Sequence, residues 1–570
     1  VVTRDEIRLE VWGEETFVNF DQGLAYCLNQ IRGALGEQAQ AAQYVQTLPR
    51  RGYRFLAPVS WAGAAAVAPA PVPVEERSLP KRGLALAALA AAIAAVLTLR
   101  SAPTPASGQA RMLVAVLPFE ELGPVTPGEH LGDGMTEEMI TELGRIVPER
   151  LGVIARTSAM RYKDARPDLE RLRDELGVDH VLEGTVQRAG DRVRVTARLV
   201  RVSDRVQMWA HTYDHDVRDV LTLQARVAMD VARSVQGTLA ADARPRPAPV
   251  DPEVYRLLTQ ARFFAHQRSR AGYEKALAAY RDASQRDPSS AAARAGIAQS
   301  FLGLAVYGAV PGPEAYRQAR EAVQRALELD PSLAEAYAVT GAIEAVDTND
   351  WSAAERAYRH ALALNPSDPV SHLWYSLLLC IRGRAGEAVA EARLAYALDP
   401  VSPQVSNHLA VMLVVNGRPA EALAQSDVTI ALDPDHGRGY VLRGESLLDL
   451  GRPAEAVAPL ERARALLPEG SRSSLFLARA YAETGRAAES RKVIGAMEAL
   501  ARDPKSDLDH IDRAAILEAA GFRDQAFAAL DRSFEQREGG VRFVLLDPAF
   551  RGMQGDPRLA ALTRRLKLTS

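Results

Sequence analysis

Residues 383–400 read GRAGEAVAEARLAYALDP and residues 417–434 read GRPAEALAQSDVTIALDP, so one pattern returns after 34 residues. The leading glycine fits a turn between two helices, because glycine adopts a left-handed backbone conformation at little cost. The closing proline ends the second helix, and the alanines between them let two helices approach closely. The pattern predicts an all-α array of stacked helix pairs.

The same markers continue on both sides of this stretch. Prolines recur at positions 288, 331, 366, 400, 434, 468 and 504, glycines at 383, 417, 451, 485 and 521, and alanines at 319, 354, 388, 422 and 456. This spacing predicts about eight helix pairs between residues 252 and 537, with an extra loop over Gly303 to Pro313.

The period and its markers resemble the tetratricopeptide repeat family over residues 250–570. The motifs LDPAF at 546–550 and DPR at 556–558 resemble the terminal cap of such arrays. The resemblance implies a solenoid whose concave face binds a protein or peptide through the first helix of each pair. Candidate contacts on that face are Asn407, Arg443 and Arg479, and the alternative is that they are ordinary solvated side chains.

Residues 83–99, GLALAALAAAIAAVLTL, form an apolar run without any charged side chain. As a helix this run would be about 25 Å long, which is the short end of a membrane span. The alternative is a buried alanine-rich core helix, but Pro/Ala-rich linkers at 61–82 and 100–110 flank the run and offer it no core. Basic residues precede the run, so we expect the N-terminal side to be cytoplasmic.

Residues 1–60 read as a short helix from Thr3, a second helix from Phe20 to Leu35, and a hairpin from Tyr44 to Phe55. This order, with VTRDEI at 2–7, VWG at 11–13 and RGYRF at 51–55, resembles the C-terminal effector domain of OmpR/PhoB-type response regulators. That resemblance implies a winged helix-turn-helix domain that binds DNA. Carried over by position, the DNA-binding residues are Cys27, Asn29, Gln30 and Arg32 on the second helix and Thr47, Arg50, Arg51 and Arg54 on or near the wing.

Two departures from that family bear on DNA binding. The family domain opens with a small sheet and a first helix that have no counterpart here, so we expect a partial winged helix. In addition, residues 1–60 contain six arginines, no lysine and seven acidic residues, which gives a net charge of −1. Because basic side chains attract the phosphate backbone, this balance leaves open a domain that keeps the fold without binding DNA.

Residues 111–240 alternate strand and helix patterns and predict an α/β layer domain. The stretches AVLPF at 115–119, DGMTEE at 133–138, VLEGT at 181–185 and RVRV at 192–195 resemble the TolB-like domain. That resemblance implies a fold but no defined chemistry.

No catalytic motif emerges, so we predict a protein that is not an enzyme and needs no cofactor. His211 and His215 would be poor metal ligands on a strand that runs into a loop. The sequence GDG at 132–134 fits a plain turn and helix cap better than a phosphate site, since it lacks the lysine of a P-loop. Cys27 and Cys380 have no zinc-site spacing.

Together these segments predict a multidomain protein similar to the membrane-anchored CadC/ToxR-type regulators. Its DNA-binding domain would lie in the cytoplasm of a bacterium, with a single pass through the inner membrane. The α/β domain and the repeat array would lie in the periplasm, and homodimer formation is left open. Two alternatives remain: an envelope scaffold with a vestigial winged helix, and a cytosolic hub in which residues 83–99 are a core helix.

Overall fold

The computed structural model of the chain describes residues 45–48, 52–55, 111–123, 131–146, 151–163, 168–236, 251–467, 473–503, 506 and 508–568. Its contacts divide the chain into two units, residues 1–104 and residues 105–570. The two predicted N-terminal helices, the linkers at 61–82 and 100–110 and the predicted span at 83–99 lie outside the described residues. None of the helices that are described is long and apolar enough to cross a membrane.

The described part of the first unit is a β-hairpin. Strands β1 (Val45–Leu48) and β2 (Gly52–Phe55) pair antiparallel, with Thr47 opposite Tyr53 and Gln46 opposite Arg54. The hairpin predicted at the end of the winged helix is therefore confirmed.

The second unit begins with an α/β domain that carries a six-stranded sheet. Its elements are β3 (Met112–Val116), β4 (Glu120–Leu122), α1 (Leu131–Ile146), β5 (Leu151–Val153), α2 (Arg156–Met160), α3 (Leu169–Leu176), β6 (His180–Ala189), β7 (Arg192–Arg201), β8 (Gln207–Asp216) and α4 (Val220–Gln236). The strand order is β5-β3-β6-β7-β8, and β4 pairs with β6. Strand β3 pairs parallel with β5 and β6, and β4 pairs parallel with β6, whereas the β6–β7 and β7–β8 pairs are antiparallel.

Several element ends follow directly from local sequence. Helix α3 begins where the Asp168 carboxylate accepts from the backbone N–H of Arg171, and it ends at Gly177, whose φ is +67°. The long strands β6 and β7 join through a turn at Gly190, whose φ is +62°. One expectation needs correction: β8 continues to Asp216 instead of running into a loop at His211 to His215.

The repeat array follows as eight helix pairs. Their helices are α5 (Pro252–His266), α6 (Arg270–Arg286), α7 (Ala291–Val306), α8 (Gly312–Leu329), α9 (Ala334–Ile343), α10 (Trp351–Leu364), α11 (Pro369–Ile381), α12 (Ala385–Leu398), α13 (Pro403–Val415), α14 (Pro419–Leu432), α15 (Gly437–Asp449), α16 (Pro453–Leu466), α17 (Ser473–Glu483), α18 (Ala487–Arg502), α19 (His510–Ala519) and α20 (Arg523–Glu535). The expected number of pairs is confirmed.

The glycine and alanine markers of the repeat have the structural roles that the sequence predicts. Gly383 has a φ of +73° in the turn inside its pair, where a side chain would be strained. Ala388 and its equivalents at 319, 354, 422 and 456 are all fully buried between helices. The third pair differs, because a π-helical turn (Glu344–Thr348) and the left-handed residue Asn349 replace the glycine turn.

The chain ends in a terminal segment that returns to the early part of the array. It consists of two 3-10 turns, Gly539–Phe543 and Pro548–Met553, and helix α21 (Pro557–Arg565). The indole N–H of Trp351 donates to the carbonyls of Leu566 and Lys567 at 3.1 and 3.0 Å. The last residues of the array therefore pack on its third pair, more than 200 residues earlier in sequence.

Candidate interaction surfaces

The predicted DNA-binding residues are only partly placed by the structure. Thr47 lies on β1 and Arg54 on β2, and they are not opposite each other in the hairpin register. The other six, Cys27, Asn29, Gln30, Arg32, Arg50 and Arg51, lie outside the described residues. The role of all eight in DNA binding stays a prediction.

The first helices of the pairs contact one another along the array, so residues 34 positions apart occupy equivalent places. On α11 and α13 these places hold mainly half-buried apolar side chains, namely Leu373, Leu377, Ile381, Asn407, Val411 and Val415. We call this set the first-helix surface. The next two first helices carry charges at several equivalent places, including Glu445 on α15 and Arg479 and Glu483 on α17. The surface thus changes along the array from apolar to charged.

Asn407 is the polar residue within the first-helix surface. Its side-chain oxygen is buried and has no hydrogen-bond partner among the described residues. A buried acceptor without a donor costs free energy, which a ligand that donates to this oxygen would recover. Turning the amide toward a ligand would break no hydrogen bond at the oxygen, because none is formed there. The next residue, His408, hydrogen-bonds through Nε2 to Ser376 Oγ of the preceding first helix at 2.7 Å.

Arg479 is held by two acidic neighbours. Its Nε donates to Glu483 at 2.8 Å, and its Nη1 donates to Asp449 on the preceding first helix at 3.3 Å. Burial lowers the pKa of Arg479, but these hydrogen bonds and charges raise it above its ordinary value. The residue links α17 to α15 and keeps about 40% of its side chain exposed.

Arg443 occupies a different position. Its equivalents one repeat away on each side, Leu409 and Leu477, are buried in the core. Arg443 Nε lies 3.2 Å from Asp427 Oδ1 on α14. Because the equivalent residues belong to the core, the position of Arg443 favours inter-repeat packing over ligand contact.

A second surface is already occupied by the chain itself. The turns between pairs carry the recurring Asp-Pro or Asn-Pro, and three successive turns receive hydrogen bonds from the α/β domain. These bonds are Arg145 Nη2 to Ser332 Oγ (3.2 Å), Val153 N to Ser367 Oγ (3.2 Å), Ala155 N to Leu398 O (2.8 Å), Ser158 Oγ to Asp399 Oδ1 (2.6 Å) and Arg161 Nη1 to Val401 O (3.0 Å). We call this contact the seam.

The seam continues where α1 packs on α5. Arg262 on α5 pairs with Glu138, and His266 Nε2 lies 3.1 Å from the Glu137 carboxylate. Burial alone would raise the pKa of Glu137, but His266, Arg262 and Arg156 lower it to about 2. The seam therefore contains an ionised carboxylate stabilised by charges from both the α/β domain and the array.

Two weaker candidates from the sequence have local explanations. The backbone N–H of Gly132, in the first turn of α1, donates to Glu121 Oε1 at 2.5 Å, and Asp133 pairs with Lys163 at 2.7 Å. The chain's own carboxylates thus occupy the place where an anion would bind. His211 and His215 lie on β8, and the described part of the chain contains no group of three or more metal-binding side chains.

The sequence did not predict the seam or the return of the terminal segment. A weak signal for the seam was present, because serine follows the proline in the turns at Ser332 and Ser367. No periodic marker distinguishes Arg542, which is buried and donates to Ala345 O and Asn349 Oδ1 at 2.9 Å. These contacts join residues about 200 positions apart, beyond the reach of local patterns.

Family comparisons match four segments of the chain. Residues 1–55 match the family described as transcriptional regulatory protein, C terminal, and residues 110–229 match the second domain of HilA/YgeH-like transcriptional regulators. Residues 339–403 and 447–520 match tetratricopeptide repeat families. A regulator-type N-terminal segment and a tetratricopeptide array are thus supported. The TolB-like assignment of 111–240 is not, since the match there is to the HilA/YgeH-like domain.

Two curated relatives share parts of the sequence. A Rhizobium meliloti protein provisionally named adenylate cyclase 3 is 29% identical over 300 residues, which cover 50% of this chain and 43% of that protein. The cholera toxin transcriptional activator of Vibrio cholerae is 34% identical over 59 residues, covering 10% of this chain and 20% of that protein. The chain therefore spans less than half the length of either relative.

Two solved structures resemble part of the chain at low sequence identity. Pseudomonas aeruginosa PilF is 20% identical, covers 42% of this chain and 99% of its own, and has a TM-score of 0.33. The type IV pilus biogenesis factor PilW is 19% identical, covers 39% of this chain and 97% of its own, and also has a TM-score of 0.33.

Proposed function

We propose that the chain is a membrane-anchored, one-component transcriptional regulator that binds DNA through residues 1–60 and a peptide or protein through its repeat array. The observation that carries this proposal is the order of segments: a regulator-type N-terminal match, an apolar run, and then an α/β domain joined to a tetratricopeptide array. A single chain with this order can couple a binding event on the array to transcription.

The DNA-binding part rests on the match of residues 1–55 and on the observed hairpin. In this proposal Arg50, Arg51 and Arg54 contact phosphates from the wing. Replacing all three by alanine should lower promoter affinity and reduce the slope of log K against log salt by about three, one for each lost phosphate contact. The control variant is Arg551→Ala, which removes an exposed arginine of the terminal segment.

The test is genomic footprinting of the full chain in its bacterium, followed by salt titration of the promoters that it recovers. Discrete promoter occupancy that the triple variant loses and the control keeps would support the proposal. If the unaltered chain occupies no promoter, the scaffold alternative, which the net charge of −1 over residues 1–60 favours, replaces it.

The membrane-anchored part rests on residues 83–99 alone. We propose that these residues cross the inner membrane once, with residues 1–82 in the cytoplasm. A reporter that is active only in the periplasm, fused after Ala110, should then be active, whereas the same reporter fused after Ser60 should be inactive. Equal activity of the two fusions would contradict the span.

The ligand that best fits the array is an extended peptide with apolar side chains. The first-helix surface offers half-buried apolar positions on two adjacent helices, with the Asn407 amide between them. This combination suits an extended peptide, because burial of its apolar side chains stabilises the complex and the Asn407 amide can hydrogen-bond to its backbone.

Peptide arrays probed with the full chain test this assignment. Binding of apolar peptides should fall at least tenfold in Leu377→Glu and Val411→Glu, because a charge would then face the apolar ligand. The control is Leu394→Glu on the second helix α12, where the leucine is already 45% exposed. Equal binding by all three variants would place the ligand elsewhere.

The seam gives the proposed regulator a physical link between its parts. Because the α/β domain is hydrogen-bonded to three successive turns of the array, a change in array curvature alters its contacts directly. We propose that ligand binding acts through this link.

A further inference from the structure

The two edges of the α/β sheet differ in how they are covered. At the β5 edge, the backbone N–H groups of Val153 and Ala155 donate to the array, to Ser367 Oγ and Leu398 O. At the other edge, β8 pairs with β7 alone within the part of the chain that the structure describes. Ala210, His211 and Thr212 in the middle of β8 are all exposed.

The register shows which backbone groups of β8 face outward. Val217 N donates to Asp191 O at 2.7 Å, and from there β7 and β8 pair residue for residue up to Leu199 opposite Trp209. In an antiparallel ladder, hydrogen-bonded and non-hydrogen-bonded pairs alternate. The N–H and C=O groups of Ala210, Thr212 and Asp214 therefore point away from β7.

Protective features of edge strands are weak here. Soluble proteins commonly guard an exposed edge with lysine, proline or an unpaired inward charge. The β8 sequence QMWAHTYDHD contains neither lysine nor proline. The Asp214 carboxylate, which could repel another strand, is paired with Arg192 at 2.6 Å and Arg194 at 2.9 Å. Those hydrogen bonds lower the pKa of Asp214 and keep the ion pairs formed.

We propose that β8 pairs antiparallel with β8 of a second copy of this chain, about a two-fold axis at Thr212. In that register Ala210 lies opposite Asp214 of the second copy, His211 lies opposite its Tyr213, and Trp209 lies opposite its His215. Aromatic and imidazole side chains of the two copies thus lie opposite each other on one face of the sheet, and no two acidic residues are opposite each other across the axis.

Charge complementarity favours this register over one centred on Asp214, and it favours a second β8 strand as the occupant. A two-fold axis at Asp214 would place two carboxylates face to face, which is unfavourable. With the axis at Thr212, Asp214 faces the small side chain of Ala210, and Arg198, the β7 partner of Ala210, lies on the same face. The strand is therefore complementary to itself, and the contact is isologous, as a closed dimer requires.

The dimer is tested by cross-linking the full chain, solubilised in mild detergent, in a Cys27→Ser background. Opposite residues in a hydrogen-bonded antiparallel pair have Cα atoms about 5.5 Å apart, within the range of a disulfide. Thr212→Cys should form disulfide-linked dimers upon mild oxidation. Ser203→Cys, an equally exposed position in the β7–β8 turn, should not.

A second variant separates dimer loss from unfolding. Proline at Thr212 removes an N–H that points away from β7, so the strand should stay paired within its own sheet. Sedimentation of the unaltered chain should show a dimer, and Thr212→Pro should be monomeric. Its urea midpoint should be close to that of the unaltered chain diluted until it is monomeric, because dimerisation itself stabilises the folded state. A monomeric unaltered chain, a Thr212→Cys variant that cross-links no better than Ser203→Cys, or a dimer that survives Thr212→Pro would each overturn the proposal.

Discussion

The hydroxyl of Ser158, on α2 of the α/β domain, donates a 2.6 Å hydrogen bond to the carboxylate of Asp399, which belongs to an Asp-Pro turn of the array. Asp399 is only 3% exposed. Burial raises its pKa, and the hydrogen bond from Ser158 opposes that rise. A residue that marks the repeat in the sequence thus also joins the array to the α/β domain.

Ser158→Ala should lower the free energy of unfolding of the second unit by about 1–3 kcal/mol, because the buried Asp399 carboxylate loses its hydroxyl donor. Urea denaturation at neutral pH measures this change. Ser203→Ala, at an exposed turn position, should change the free energy by less than about 0.5 kcal/mol. Equal effects of the two variants would mean that the Ser158 hydrogen bond contributes nothing measurable.

Gly134→Ala should destabilise the contact between α1 and α5 by about 1–3 kcal/mol. A Cβ atom at Gly134 would lie 2.9 Å from both Thr259 Oγ1 and Tyr255 Oη, so the helices would have to separate. Gly386→Ala in α12 is the matched control, since nothing lies within 4 Å of its Cβ position and alanine favours helix. Thermal unfolding should therefore shift in opposite directions for these two variants.

Arg542→Met should destabilise the closure of the array by about 2–4 kcal/mol. Arg542 is 4% exposed and donates to Ala345 O, Val346 O, Asn349 Oδ1 and Glu538 O, all of which methionine would leave without this donor. Hydrogen exchange should accelerate in both the π-helical turn at 344–348 and the terminal segment at 539–553.

The control for that closure is Arg551→Ala, since Arg551 is an exposed arginine of the same terminal segment. Its exchange rates should match those of the unaltered chain. Acceleration confined to residues 539–553 in Arg542→Met would show that the π-helical turn is stable without the arginine.

His408→Gln should make the protein more resistant to mild acid. Burial lowers the pKa of His408 from 6.5 to about 4, so the folded state keeps the imidazole neutral while the unfolded chain binds a proton. The histidine therefore lowers stability progressively as the pH falls from 6.5 toward 4. The free energy of unfolding of the variant, relative to that of the unaltered chain, should therefore rise by about 2–3 kcal/mol as the pH is lowered from 7 to 4.5.

Urea denaturation at the two pH values measures this difference, and glutamine can still hydrogen-bond to Ser376. His360→Gln, at an exposed histidine on α10, reports the general effect of removing an imidazole. If the difference in free energy of unfolding between His408→Gln and the unaltered chain is the same at both pH values, His408 is protonated in the folded state at pH 4.5.

Much of the fold could be predicted because its signals are local. Glycine turns such as the one at Gly383, buried alanines such as Ala388 and proline stops are properties of single repeats, and each helix pair is one supersecondary unit. The alternation of strands and helices over residues 111–240 was predictable for the same reason. Element ends were less accurate, as at β8, where the strand continues to Asp216 although a loop was expected there.

The candidate surfaces were less predictable, since a side chain's role depends on its neighbours in space. Arg443 and Arg479 both lie on first helices and look alike in sequence. Residues equivalent to Arg443 in the neighbouring repeats are buried leucines, whereas those equivalent to Arg479 are not. The seam residues Ser158 and Asp399 are separated by 241 positions, so no local pattern could pair them.

The amino-acid sequence by itself determined the repeat period, the number of helix pairs, the alternation of the α/β domain and the N-terminal hairpin, because each depends on turns, caps and apolar spacing within about 40 residues. Only the tertiary structure decided that the Asp-Pro turns receive the α/β domain, that Arg542 closes the array on its third pair, and that β8 pairs with β7 alone among the strands that the structure describes. Those contacts depend on how the stacked repeats curve through space, and curvature is the sum of many small packing rotations that no single repeat encodes.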